Sequence, residues 1–213
     1  MVKIYGLPFS TCTARVLACC HEKEVEYELI PVNLMAGAHK QKPHLDLNPF
    51  GQVPAFQDEE LTLFESRAIT RYLSKQQQGK DTELLGGTLG EQAMVDVWCE
   101  VEAQQFNAPC TEVVMQIVII PMKGGKTNEE IVKISIEKLS KVLDVYEERL
   151  AKHNYLAGDF FSLADLHHLS SIHYLVNVAG KGELITSRPH VNAWWEKISA
   201  RPAWQKVVQK MKR

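Results

Sequence analysis

The stretch Asn48-Pro49-Phe50-Gly51-Gln52-Val53-Pro54-Ala55-Phe56 constrains the fold of this chain more than any other. Strand-forming residues flank Val53-Pro54, yet proline lacks the amide donor that a central strand requires. A cis Val53-Pro54 bond resolves the conflict. It turns the chain and leaves the backbone N–H and C=O of Val53 facing outward, where a ligand can use them. Only about 5–6% of X-Pro links are cis, so proline alone would not support this reading. The residues that follow do support it. A strand pair, expected at 55–57 and 61–63, leads to Glu65-Ser66 and an apolar-periodic helix beginning Arg67-Ala68-Ile69. Helix N-termini hold carboxylates, so Ser66 with its neighbouring amides reads as an anion seat.

Upstream, 2–5 reads as a short strand and Gly6-Leu7-Pro8 as a loop. Thr11 or Thr13 reads as the cap of a helix running to about Lys23, with Val16, Leu17 and Cys20 on its buried face. Residues 27–32 are strand-like, and 43–48 follow an irregular, helix-prone segment. The order βαβ-α-ββα resembles a thioredoxin-like domain, whose parallel pair needs a crossover. Polar and Gly-rich residues between Gln76 and Gly87 read as a linker. The expected boundaries are 1–78 for the α/β domain, 79–88 for the linker and 89–213 for an all-α domain. In that second part, 90–120 is too long for one ordinary helix, and Pro109 should kink or end it. Leu139, Val142, Leu143, Tyr146 and Leu150 fall at helical spacing. Ser162-Leu163-Ala164-Asp165 is a capping-box pattern. Trp194, Trp195 and Trp204 are expected to pin the last helices to the core.

Composition excludes several classes. A formal charge of −2, with no aromatic-plus-basic stripe, gives no reason to expect nucleic acid; the basic run 206–213 reads as a solvated helix end. The five cysteines are odd in number and form no C-x-x-C, which suits a reduced, intracellular protein. The first residues lack the apolar region of a signal peptide. The most apolar run, 113–120, is broken by Gln116 and closed by Pro121, far short of the ~20 residues that cross a bilayer. A cytosolic location away from membranes is expected. His167, His168 and His173 lack metal-ligand spacing, so no metal is expected. Gly124-Gly125 reads as a turn, not a phosphate loop.

Ser10 lies in Gly6-Leu7-Pro8-Phe9-Ser10-Thr11-Cys12-Thr13-Ala14-Arg15-Val16, at a helix start whose partial positive charge favours an anion such as a thiolate. Together with Gln52-Val53-Pro54 and Glu65-Ser66-Arg67-Ala68-Ile69, this order resembles the glutathione-binding half of the glutathione transferases, most closely the plant phi class. The resemblance covers nearly the whole chain and implies a cytosolic homodimer with glutathione as co-substrate and no other cofactor. It implies that Ser10 donates a hydrogen bond to the glutathione thiolate, with Thr11 beside it. Favouring thiolate over thiol by two pKa units takes roughly 2.7 kcal/mol, within reach of a charge-assisted hydrogen bond and a helix end. On the residues alone, a simple helix cap is the preferred reading of Ser10, and the resemblance reverses that preference.

The resemblance also places His39 and Lys40 at the glycyl carboxylate, although a solvated polar turn is the plain reading of that pair. It places Gln52 and Val53, beside Pro54, along the tripeptide backbone, Glu65 at the γ-glutamyl ammonium and Ser66 at its carboxylate. Phe50 is either an anchor in a partner subunit or an ordinary core phenylalanine. Cys12 is the rival for the reactive role; otherwise it is a small hydrophobe flanking the site. The electrophile site is expected between the domains, with Cys12, Met35, Phe106, Met115 and Ile119 as candidate walls, each of which reads equally as core. The implied activity is addition of the thiolate to small apolar electrophiles by aromatic substitution or Michael addition, with hydroperoxide reduction as adjacent chemistry. Two alternatives remain: a non-catalytic carrier of apolar metabolites or hormones, and a glutaredoxin-like thiol transferase acting through Cys12.

Overall fold

Alternation between buried and exposed positions makes Val2–Tyr5 the first strand, with Val2 and Ile4 inward and Lys3 outward. The computed structural model describes residues 1–76 and 83–212. They form two compact units, Met1–Leu85 with Arg201–Arg213, and Gly86–Ala200. In the first unit β1 (Val2–Tyr5), α1 (Thr11–Glu22) and β2 (Tyr27–Ile30) precede a 3-10 turn, Ala38–Lys40, and α2 (His44–Leu47). β3 (Ala55–Gln57), β4 (Thr62–Phe64) and α3 (Ser66–Gln76) complete the order expected from the pattern. The sheet order is β2-β1-β3-β4. β1 and β2 are parallel, with Ile4 opposite Leu29; β3 runs antiparallel to β1, with Ile4 opposite Phe56, and to β4.

Ile4, Val16, Leu17, Phe56, Ile69 and Leu73 have no exposed surface and form the core of this unit. α1 lies against α3, where the Cys19 thiol donates to the Thr70 carbonyl at 3.6 Å. The loop into α1 is drawn tight at Gly6, because a Cβ there would sit 2.4 Å from Thr13 Oγ1.

The second unit begins with α4 (Leu89–Val101), opened by a capping box in which Thr88 and Glu91 satisfy each other's backbone amides. Helix continues through α5 (Asn107–Val114) and α6 (Ile120–Met122), joined by π-helical turns at Glu102–Phe106 and Met115–Ile119. Of the two outcomes the sequence offered for Pro109, a kink or an end, the end does not occur. The carbonyls four residues before Pro109 and Pro121 belong to Gln105 and Ile117, inside the two π turns. The wider spacing there relieves the clash and lost donor that proline brings to an α-helix.

α7 (Glu129–Leu150) is capped by Asn128, whose side chain accepts from the amides of Glu130 and Ile131. Its buried face carries Leu139, Leu143, Tyr146 and Leu150, at the spacing that predicted it. α8 (Leu163–Leu166), α9 (Leu169–Asn177), α10 (Glu183–Thr186) and α11 (Pro189–Ser199) follow. Trp98, Phe106, Tyr146, His168 and Trp194 form one aromatic cluster. His168 donates from Nδ1 to the Ala164 carbonyl at 2.7 Å, which leaves Nε2 to accept from the Tyr146 hydroxyl at 2.9 Å.

The last helix, α12 (Pro202–Met211), packs on α1 within the first unit. Arg201 grips Glu22 with two bonds of 2.6 and 2.7 Å, and Trp204 is 1% exposed. Residues 201–212 thus leave the all-α domain to which the sequence assigned them; periodicity reveals an apolar face but not what covers it. Of the expected linker, 79–82 lie outside the described residues. Within its remainder, Leu84 and Leu85 are buried, and Gly86 (φ +88°) and Thr88 shape the start of α4.

Candidate functional site

The residues singled out in the first unit gather around two helix starts and one loop. Ser10, not Thr11 or Thr13, caps α1: its backbone is extended and its Oγ accepts from the Thr13 amide at 3.4 Å. Thr11 and Thr13 lie inside the helix, where a side chain cannot reach forward to the orphan amides. The Ser10 hydroxyl is half-buried, and its hydrogen has no acceptor among the described residues. Such a hydroxyl can donate to an anion brought to the helix end. Thr11 follows it, half-buried.

Cys12 is the second residue of α1, half-buried, its sulfur accepting from Arg15 Nη1 at 3.7 Å. All five cysteines are free thiols. Burial pushes Cys19 up to about 12 and Cys20 well above its usual range, so both remain protonated.

Val53-Pro54 is cis, as its context required. His44 Nε2 and Asn48 Nδ2 both donate to the Gln52 carbonyl, at 2.8 and 2.9 Å, and hold the loop from behind. The backbone N–H and C=O of Val53 have no hydrogen-bond partner among the described residues. The Gln52 side chain is exposed, Val53 half-buried and Pro54 buried. Gly51, at φ +57°, allows close packing: a Cβ there would meet the His39 carbonyl at 2.7 Å and Lys40 Cδ at 2.8 Å. His39 and Lys40 thus lie against Gly51, and Lys40 Nζ donates to the Phe50 carbonyl at 2.9 Å.

Glu65 adopts φ +67°, the left-handed region that non-glycine residues seldom enter and that costs of order 1–3 kcal/mol. Its carbonyl accepts from the Ile69 amide, so it stands as the backbone cap of α3 with its side chain exposed. Ser66, 4% exposed, accepts from Arg15 Nη1 at 2.8 Å. Sequence reasoning missed Arg15. The available signal was a single cation at a position flanked by the buried face of α1.

Phe50 is 66% exposed and meets Phe64 edge-on, with ring centroids 5.9 Å apart, which removes the core reading. Among the candidate walls, Met35 is 90% exposed, and Met115 and Ile119 are half-buried in a π turn of the second unit. Phe106 has no exposed surface and stacks with Tyr146, so it is core and not a wall. Helical spacing alone does not separate the two. A depression of about 430 Å³ on the second unit is lined by Glu91, Met94, His153, Ala157 and Phe160, none of them among the residues proposed from sequence. His167 and His168 are both buried; among the described residues no three His, Cys, Asp or Glu side chains are grouped to hold a metal.

Family models agree with this anatomy. The model for the glutathione S-transferase N-terminal domain matches residues 1–75, and that for the C-terminal domain matches 110–202. Glutathione S-transferase F13 of Arabidopsis thaliana is 50% identical, over 97% of this chain and 94% of that protein. The chain belongs to the glutathione S-transferases, in the plant phi class. Its fold is that of solved transferases. Glutathione transferase F7 from Populus trichocarpa superposes with a TM-score of 0.95 at 49% identity, covering 99% of both chains. Glutathione S-transferase I from maize, solved with an atrazine glutathione conjugate, gives 0.90 at 46% identity, covering 99% of this chain and 98% of that one.

Proposed function

We propose that this transferase joins the glutathione thiolate to small apolar electrophiles, with Ser10 as the donor that stabilises the thiolate. The observation that carries the assignment is a hydroxyl at the start of α1 whose hydrogen is uncommitted among the described residues. Glutathione lies with its γ-glutamyl carboxylate at Ser66 and the first amides of α3, and its ammonium at Glu65. The cysteinyl unit pairs with the Val53 backbone beside Pro54, Gln52 offers its amide, and His39 and Lys40 face the glycyl carboxylate. At Ser10, with Thr11 alongside, the thiol gives its proton to solvent. The sulfur lone pair then attacks carbon, forming a C–S bond. In aromatic substitution a chloride leaves with the bonding pair; in Michael addition the neighbouring carbon takes a proton. The maize relative's complex with a glutathione conjugate supports this class of product.

Steady-state conjugation of a chlorinated nitroaromatic tests the reading, together with the ultraviolet band of bound thiolate at neutral pH. A protein that binds glutathione without that band and without turnover would be a carrier instead. Cys12 is the weaker nucleophile candidate, because it lies within the first turn while Ser10 holds the cap.

The assembly is a homodimer in this proposal, with Phe50 as the anchor, since a phenylalanine 66% exposed beside the glutathione loop needs a cover. Truncating a central interface aromatic commonly costs ~2–4 kcal/mol, or some 30- to 1,000-fold in dissociation constant. Phe50→Ala should therefore raise the monomer fraction in ultracentrifugation across dilution; an unchanged dimer would refute the anchor. Glutathione is the co-substrate of the electrophile in this proposal, and five free thiols support a cytosolic home. No helix among the described residues is long and apolar enough to cross a membrane.

A further inference from the structure

Arg15 is the fifth residue of α1 and only 1% exposed. Its Nη1 donates to Ser66 Oγ, the first side chain of α3, at 2.8 Å across 51 residues of sequence. A buried guanidinium is costly unless its donors are met, so this contact is part of what holds Arg15 in place. The consequence falls on Ser66. A serine hydroxyl has one hydrogen and two lone pairs, and left alone it can present itself as donor or acceptor. With a guanidinium donating to its oxygen, the hydroxyl is biased to donate outward, and the polarised O–H donates more strongly. The same Nη1 reaches Cys12 Sγ at 3.7 Å, in the first turn of the helix that Ser10 caps. One buried cation therefore stands behind both helix starts.

We infer that Arg15 is a positioning residue that makes the α3 N-terminus selective for a carboxylate. The site then prefers glutathione over an analogue whose γ-glutamyl α-carboxylate has been converted to an amide. The inference rests on the assignment of Ser66 to that carboxylate. Two effects act together: the guanidinium charge attracts an anion through a layer of low dielectric, and the biased hydroxyl matches an acceptor better than an amide N–H.

Calorimetric titration of glutathione and of its α-amide decides the matter, on the wild-type chain, Arg15→Gln, Arg15→Lys, Ser66→Ala and the double variant Arg15→Lys/Ser66→Ala. The wild type should prefer glutathione by about tenfold or more, the scale of one hydrogen bond to a charged group. Arg15→Gln should reduce that preference to about threefold or less, with kcat at saturating glutathione within about threefold of wild type. Arg15→Lys, which keeps the charge but loses the planar fork, should fall between. Should Arg15→Gln fail to fold, the double variant decides: removing Ser66 should erase less preference in the Arg15→Lys background than in the wild type. If Ser66→Ala abolishes the preference while the folded Arg15 variants keep it, Arg15 is only structural and the inference falls, although the Ser66 assignment stands. A lowered Tm with unchanged preference overturns it in the same way. If Ser66→Ala leaves the preference intact, the Ser66 assignment itself falls, and the inference with it.

Discussion

Serine opens helices in both units of this protein, and the two units use it in opposite ways. In the helical unit Ser162 caps α8, and Asp165, three residues on, closes the device from the other side. The Asp165 carboxylate accepts from the amides of Leu156 and Ser162, from the Ser162 hydroxyl and from Trp194 Nε1, all at 2.9–3.1 Å. Nothing is left over for a ligand. At Ser10 the position three residues on is Thr13, which supplies its amide at 3.4 Å but no returning carboxylate. At Ser66 the preceding Glu65 is held at φ +67° with its carboxylate exposed, and the hydroxyl is fed from below by Arg15. A helix start whose donors are consumed by its own sequence is a structural joint; one left short of acceptors can receive an anion.

The largest effect should come from breaking the closed start. Asp165→Asn turns an amide nitrogen toward two of the four donors that the carboxylate now satisfies. At about 1–3 kcal/mol for each of those two donors, it should cost about 2–6 kcal/mol in urea unfolding and lower Tm by roughly 4–24 °C. A loss near 1 kcal/mol would mean that the box is not the joint described. The same residue sets a pH dependence. Burial raises its carboxyl from 3.8 to about 6, against the hydrogen bonds that pull it down. The native state therefore holds this proton more tightly than the unfolded chain does. The resulting stabilisation is full below about pH 4 and lost as pH rises through 6, on the order of 3 kcal/mol in all. That slope should vanish in Asp165→Asn.

On the open side of the comparison, Ser10→Ala removes the donor at an unfilled start. At neutral pH kcat should fall about 100-fold, the equivalent of two pKa units of thiolate stabilisation, with glutathione affinity within a few-fold. Activity should recover as alkali ionises the thiol unaided. Wild-type kcat at neutral pH would show that Ser10 is only a cap.

Ser66→Ala and Glu65→Ala should each weaken glutathione binding by roughly 10- to 30-fold in equilibrium titration, while the apparent KM of the electrophile changes little. Unchanged binding in both would place the γ-glutamyl end elsewhere. The smallest effect is expected from Cys12→Ser, about twofold or less in conjugation, because a substitution beside the reacting atoms but outside their hydrogen bonds shifts energies by about 0.5 kcal/mol. Collapse of activity there would move the chemistry to the cysteine.

Much of this molecule could be read from local pattern. The strand and helix order of the first unit, the cis Val53-Pro54 loop, the Ser162–Asp165 box and the inward face of α7 each depend on residues a few positions apart, where backbone geometry allows few answers. Among the candidate glutathione residues, Ser66 stood out from local pattern as an anion seat at a helix start, whereas Ser10, His39, Lys40, Gln52 and Glu65 took their roles from the family resemblance. Other features needed the folded chain. Arg15 meets Ser66 from 51 residues away, α12 returns to α1 through Arg201 and Glu22, and Phe106 disappears into an aromatic core while Phe50 stands exposed. Even the helix through Pro109 survives because π turns absorb a clash that sequence rules count as a stop. Periodicity states which face of an element is apolar. What that face touches is decided by packing among distant segments, because burial and hydrogen bonding depend on distance in space and not on separation along the chain.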